Sequence, residues 1–218
     1  MASSTPKKVA IILSSTRPIR VGPAVVELVQ DVLKSSPSYS TVEVTVVDVA
    51  EFNLPLFNEK VVPAAVPAYA QFEHEHSKIW SAAIAPYDGY IWVTAEYNFG
   101  APAATKNAID YLYNEWKGKP IYIIGYGING GRSAATGLKQ TFEGMKLRVV
   151  PTRPALTFVG GGFGAETQAA ISTGKLGEET TKAFKAEADI NKGFEELVEL
   201  LNDPEKKGSE VDFKPGEF

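Results

Sequence analysis

The sequence predicts an open α/β sheet of parallel strands with helices on both faces. Three observations carry that expectation. Short apolar β-type runs recur along the chain, and helical patterns fill the intervals between them. Three of the runs are also apolar without interruption, as strands covered on both faces require.

The first strand is expected at 9–13 (V-A-I-I-L). A helix follows over 23–33, where Val25, Val26, Leu28, Val29, Val32 and Leu33 make a broad apolar stripe. Pro23 suits its first turn, where the missing N–H has no helical partner anyway. Residues 42–47 (V-E-V-T-V-V) alternate, which suits a second strand nearer the sheet edge. A helix over 69–85 carries Phe72, Ile79, Trp80, Ala83 and Ile84, and 90–93 is the third strand. Pro102 opens a helical stretch marked by Ala104, Ala108, Ile109, Leu112 and Trp116, which Gly118 stops. Strand four is 121–124, followed by a helix over 133–145, and strand five is 147–150. The last helix spans about 178–201 and ends before Asn202-Asp203-Pro204. Residues 160–164 read as a glycine-rich loop. With one βα unit repeated five times and no linker, residues 1–205 form one domain and 206–218 a mobile tail.

Composition narrows the function classes. The 218 residues are 44% hydrophobic and 22% charged, ordinary values for a soluble globular protein. A net charge of −4 argues against non-specific nucleic-acid binding, which needs a basic surface. With no cysteine, disulfides, thiolate catalysis and cysteine-ligated metals are excluded. No apolar run approaches the roughly 20 residues of a membrane helix. The start, M-A-S-S-T-P-K-K-V-A-I-I-L, has no cleavage signature, and a cytoplasmic location is expected.

In open α/β sheets, ligands bind beyond the carboxyl ends of the strands where the order reverses. After the first strand comes S-S-T-R-P-I-R-V-G (14–22), with three hydroxyls and two guanidinium groups just before a helix. Free N–H groups and the helix dipole favour an anion there, which the hydroxyls and Arg17 can bond; the bland alternative is a solvated N-cap with incidental arginines. After the third strand comes T-A-E-Y-N-F-G-A-P (94–102), where Tyr97 and Phe99 can pack on a flat heterocycle or cap the core. After the fourth comes G-Y-G-I-N-G-G-R (125–132), in which Gly125, Gly127 and Gly130 spell G-x-G-x-x-G. That fingerprint normally follows the first strand, with an acidic residue at the end of the next one. Here the next strand ends in V-V-P-T-R, so a dinucleotide reading is weakened, although Arg153 could serve an NADP variant.

Together, S-S-T-R-P-I-R-V-G, T-A-E-Y-N-F-G-A-P-A-A-T-K-N-A-I-D-Y-L and G-Y-G-I-N-G-G-R resemble the NADPH-dependent FMN reductase family. The most specific part is E-Y-N followed by K-N-A-I-D. The resemblance implies a flavodoxin-like five-stranded parallel sheet of order 2-1-3-4-5. It also implies tightly bound FMN, with NADPH or NADH as hydride donor. Ser15 and Arg17 would hold the FMN phosphate, and Arg20 and Val21 would close the loop. Glu96, Tyr97, Asn98 and Phe99 would line the isoalloxazine, with Tyr126, Gly127, Gly130 and Gly131 as the second wall. Ser14 stands where the family usually has glycine, and Ala95 where it has proline. The implied activity is ping-pong transfer of hydride to a quinone, a flavin or a similar small acceptor. A homodimer or homotetramer is implied too. The apolar residues of 101–116 could form its interface, and burial within the chain explains them equally well.

This chemistry asks little of side chains, because the cofactor supplies it; no residue is assigned as general acid or base. A metal is not expected. His74 and His76 at i and i+2 of a helix would point to different faces. No G-x-S-x-G nucleophile elbow is present. The competing class is a non-enzymatic flavodoxin-type electron-transfer or regulatory protein.

Overall fold

A computed structural model of the chain describes residues 5–66 and 71–209. The apolar runs pair as parallel strands: β1 (Lys7–Leu13), β2 (Val42–Asp48), β3 (Gly89–Ala95), β4 (Pro120–Gly127) and β5 (Arg148–Val149), in the order β2-β1-β3-β4-β5. A short β6 (Ala155–Thr157) also pairs with β4. The alternating second run is the edge strand that its pattern predicted.

Side chains alternate across each strand, so every central strand feeds two cores. Val9, Ile11, Ile91, Val93, Tyr122 and Ile124 face one way, against α1 (Gly22–Leu33), α6 (Glu178–Lys185) and α7 (Asp189–Asn202). Ala10, Ile12, Tyr90, Trp92, Ile121 and Ile123 face the other, against α2 (Glu75–Ile84), α3 (Ala103–Asp110) and α4 (Arg132–Gly144). All three tryptophans are fully buried on this second side, with Trp116 packed edge-on to Trp80, Tyr90 and Trp92. Of the apolar residues of 101–116, Ala108, Ile109, Tyr111, Leu112 and Trp116 are buried in the chain's own core.

Several boundaries differ from expectation, each for a local reason. The fifth strand position is split between β5 and β6. Pro151 and Pro154 have no N–H for the ladder, so the chain steps between them and resumes pairing further along β4. The helix expected to 116 ends at Asp110, and Leu112 closes a turn onto the Ile109 carbonyl. The last helix breaks between Lys185 and Asp189, where the Glu187 carboxylate accepts from the Asp189 N–H and starts α7 anew. An unforeseen helix, α5 (Ala165–Thr173), buries only Thr167 and Ala170. It has no apolar stripe to reveal it. The helix expected over 69–85 starts only at Glu75, and Tyr69 lies outside the described residues. Of the expected tail, Ser209 bonds the Val149 carbonyl (2.6 Å) and Glu143 (2.7 Å), and 210–218 lie outside the described residues.

Candidate functional site

The strand order reverses between β1 and β3, and the loops after β1, β3 and β4 converge above that point. The β1 loop is anchored from below. The Ser14 hydroxyl donates to the Val93 carbonyl (2.9 Å), and the buried Ser15 hydroxyl accepts from Tyr126 (3.3 Å). Ser15 lies so close over the start of α1 that a Cβ on Gly22 would sit 2.3 Å from its Oγ. No side chain caps α1, so its first N–H groups remain open to an anion.

The loop's two arginines differ. Arg20 makes a two-pronged ion pair with Asp48 at the end of β2, Nη1 to Oδ1 at 2.9 Å and Nη2 to Oδ2 at 2.5 Å, and also donates to the Ser15 carbonyl. Its charge is cancelled, and it braces the loop. Arg17 is exposed, donates to the Ile19 carbonyl (2.5 Å) and the Ile171 carbonyl (3.4 Å), and lies 6.0 Å from the Tyr97 ring centroid. Carbonyls are neutral acceptors, so its positive charge is not cancelled by them.

The β3 loop is a tight turn. Tyr97 and Gly100 exchange two backbone bonds (2.9 and 3.1 Å), and Asn98 and Phe99 between them have φ of 50° and 61°. Asparagine tolerates this left-handed region; an aromatic residue there is strained. Phe99 is nonetheless 77% exposed. Glu96 turns away from the turn, and its Oε2 accepts from Ser133 N (2.8 Å) and Ala134 N (3.2 Å) at the start of α4. It thereby ties the β3 loop to the β4 loop.

In the β4 loop the glycines serve two purposes. A Cβ on Gly131 would lie 2.5 Å from Tyr126 N, and one on Gly125 would lie 2.7 Å from the Gly130 carbonyl, so this loop folds tightly on its own backbone. Gly127, at φ 145°, is different: the nearest atoms to an added Cβ are those of Glu96, 4.0 Å away, leaving open space at the cleft. Tyr126 is buried between the loops, and burial pushes its phenol up to about 12, so it stays neutral.

One cleft therefore gathers Arg17, Arg20, Val21, Glu96, Tyr97, Tyr126 and Gly127. Ser15 lies beneath it, and Asn98 and Phe99 form the exposed turn beside it. Gly130 lines a neighbouring cleft, and Gly131 packs underneath the loop. Sequence reasoning missed Ile128, Phe158, Ala170 and Ile171 of the lining. Ile128 sat inside a quoted motif. The other three come from β6 onward, where no motif was legible.

K-N-A-I-D proves to be framework. Lys106 pairs with Asp110 one helical turn on (2.6 Å). Asn107 clamps the 53–58 segment, accepting from Phe57 N (2.9 Å) and donating to the Pro55 carbonyl (2.7 Å). The histidine geometry also needs correction. His74 is extended ahead of α2, and its ring stacks on His76 at 5.1 Å, where a helix would have parted them. Beside them Glu59, Glu73 and His74 bring ligand-type atoms within 4.8 Å of one another. Glu59 is engaged as a cap, accepting from Glu73 N and His74 N at 3.0 Å each. No helix among the described residues is long and apolar enough to cross a membrane.

A doubly wound sheet with a cationic, apolar-walled cleft at its switch point defines the flavodoxin-like nucleotide-binding class. Residues 7–159 match the family model described as NADPH-dependent FMN reductase, and the chain belongs to that family. A relative from Nectria sp, named NAD(P)H-dependent FMN reductase ntnL, is 50% identical over 204 residues, covering 91% of this chain and 99% of that one. A protein of Pseudomonas putida named quinone reductase is 26% identical over 189 residues, 83% of this chain and 90% of its own length. Among solved structures, FerB of Paracoccus denitrificans, titled a flavoenzyme NAD(P)H:(acceptor) oxidoreductase, superposes with a TM-score of 0.59 at 21% identity. It covers 88% of this chain and 98% of its own.

The residues present fit FMN, the family's cofactor. Tyr97, Ile128, Phe158 and Ile171 give apolar surface for a flat ring, and Gly127 leaves space beside it. Arg17 and the uncapped start of α1 offer positive charge to a phosphate.

Proposed function

We propose that this chain passes hydride from NAD(P)H, through FMN held in the cleft, to a quinone, a flavin or a similar flat acceptor, with donor and acceptor taking turns at one face. The observation that carries this reading is the convergence of Arg17, with its charge uncancelled by its carbonyl partners, and an apolar-walled slot at the switch point. Bound FMN supplies the redox chemistry, and the protein positions it and controls access. Ser15, Arg17 and the start of α1 hold the phosphate end, and Arg20, paired to Asp48, with Val21 keeps the loop closed around it. Tyr97, Asn98, Phe99, Tyr126 and Gly127 flank the ring, and Glu96 fixes the spacing of the two walls. Gly125, Gly130 and Gly131 let the second wall fold tightly enough to stand there.

No acid or base is needed at the cleft, in keeping with a Tyr126 phenol held neutral by burial. The quinone in the name of the Pseudomonas putida relative supports that acceptor class. A homodimer or homotetramer with flavins near the subunit contacts follows from the family resemblance. The exposed Phe99, Ile128 and Phe163 are among the apolar residues available for it.

Anaerobic titration with NADPH tests the reading. FMN-loaded protein should lose its yellow colour stoichiometrically and regain it on adding a quinone. A yellow protein that neither nucleotide bleaches would instead be an electron-transfer flavoprotein.

A further inference from the structure

A second cleft, of about 580 Å³, opens at the outer edge of the sheet, between the start of α4 and α7. We propose that it receives the adenosine end of the hydride donor and that Arg132, Arg153 and Lys192 bind its 2′-phosphate, selecting NADPH over NADH. The inference rests on the hydride-transfer reading of the first cleft.

Three observations carry it. The first is charge. Three cations line one cleft of a chain whose net charge is −4. Among the described residues none of the three sits in an ion pair. Arg153 donates only to the neutral Pro151 carbonyl (3.2 Å). Of the two carboxylates in the lining, Glu196 holds Thr152 by two bonds, to its N–H (2.9 Å) and its hydroxyl (2.8 Å). The other, Asp189, is suited to accept from a ribose hydroxyl.

The second observation is continuity. Gly127 lines the cofactor cleft and Gly130 lines this one, and Gly130 N bonds the Gly127 carbonyl (3.1 Å). The two clefts are thus the two sides of one tight turn, whose ends lie within about 7 Å of each other. A dinucleotide laid across the turn places its nicotinamide against the flavin of the first cleft and its adenosine in the second.

The third observation explains why side chains must do the binding. The start of α4 is beside this cleft, but its N–H groups at Ser133 and Ala134 are already taken by Glu96. An anion here must be held by arginine and lysine. NADPH and NADH differ only in the 2′-phosphate, so any contact to it is a contact for selection.

The test uses the full-length, FMN-loaded protein with Arg153→Gln and Lys192→Gln, singly and together. Binding of 2′,5′-ADP and 5′-AMP is measured by calorimetry, without turnover, alongside kcat/KM for NADPH and NADH. The wild type should bind 2′,5′-ADP about tenfold or more tightly than 5′-AMP, and the variants should lose most of that margin. KM for NADPH should rise in step while the NADH reaction is unchanged. Equal binding of the two nucleotides by the wild type would overturn the assignment of this cleft. So would variants that slow NADH and NADPH alike. Failure of both nucleotides to reduce the flavin would sink the underlying reading, and the proposal with it.

Discussion

Arg17 and Arg20 stand in one loop, yet their partners divide the work between them. Arg20 is neutralised by Asp48, whereas the hydrogen bonds of Arg17 go to neutral carbonyls, so under the proposed reading Arg17 is the arginine that meets the phosphate. Arg17→Ala should weaken FMN binding by roughly 1.5–3 kcal/mol, the range for a hydrogen bond to a charged group. Fluorescence titration of apoprotein would read this, and an unchanged affinity would move the phosphate elsewhere. Phe99 supplies a second test. A two-residue turn with both central φ positive favours Asn-Gly, and this chain has Asn98-Phe99. Left-handed backbone costs a non-glycine residue about 1–2 kcal/mol, partly offset by glycine's freer unfolded state. Phe99→Gly should therefore stabilise the fold by on the order of 1 kcal/mol in urea unfolding, while impairing acceptor turnover. A destabilised variant would mean that the exposed ring packs more than its exposure indicates. The roles of these residues were legible only in part. The loop sequences placed them at the ligand edge, but nothing local showed that Arg20 would find Asp48, 28 residues away on another strand.

Elements were most legible where their pattern was strong. The continuous apolar runs located β1, β3 and β4, and the wide stripe of α1 fixed that helix to within a residue. Legibility failed where structure depends on distant partners. β6 is three residues long and exists because β4 offers an edge beyond the prolines, while α5 has almost no apolar face. The start of α4 is a further case. Its N-cap residue, Gly131, provides no side chain, and the cap comes from Glu96 at the end of a different strand. Removing a capping oxygen typically costs about 0.5–2 kcal/mol. Glu96→Ala should lose stability in that range and also weaken FMN binding, because the two cleft walls lose their tie. Urea denaturation of apoprotein reads the first effect, and flavin titration the second. Loss of stability with unaltered flavin affinity would confine Glu96 to a helix cap.

At the scale of the molecule, the two ends of the sheet carry different chemistry. The C-terminal end holds the clefts, with Tyr126 fixed in its neutral form. Lys119 lies at the opposite end, just ahead of β4, with its ammonium donating to the Ala85 carbonyl and the Tyr90 hydroxyl at 3.0 Å each. Burial disfavours its charge and lowers it to about 8, against the weaker pull of Asp88 and Glu115. The sign of its contribution follows from proton counts. Between about pH 8 and the ordinary lysine value of 10.5, the unfolded chain keeps the proton and the folded chain releases it. Stability due to this group therefore rises with pH across that window. The raised Tyr122 and Tyr126 act in the opposite sense above the ordinary tyrosine value of 10.0, where unfolded phenols ionise first. Both tyrosines remain in Lys119→Met, so subtracting that variant isolates the lysine. The stability of wild type relative to Lys119→Met should climb from pH 8 to 10, whatever its offset at pH 7, as read by urea midpoints at each pH. FMN affinity should be the same in both proteins at pH 7, because the residue lies at the other end of the strands from the cleft. A flat difference across the window would show that Lys119 keeps its proton and sits in better contact with water than its partners suggest.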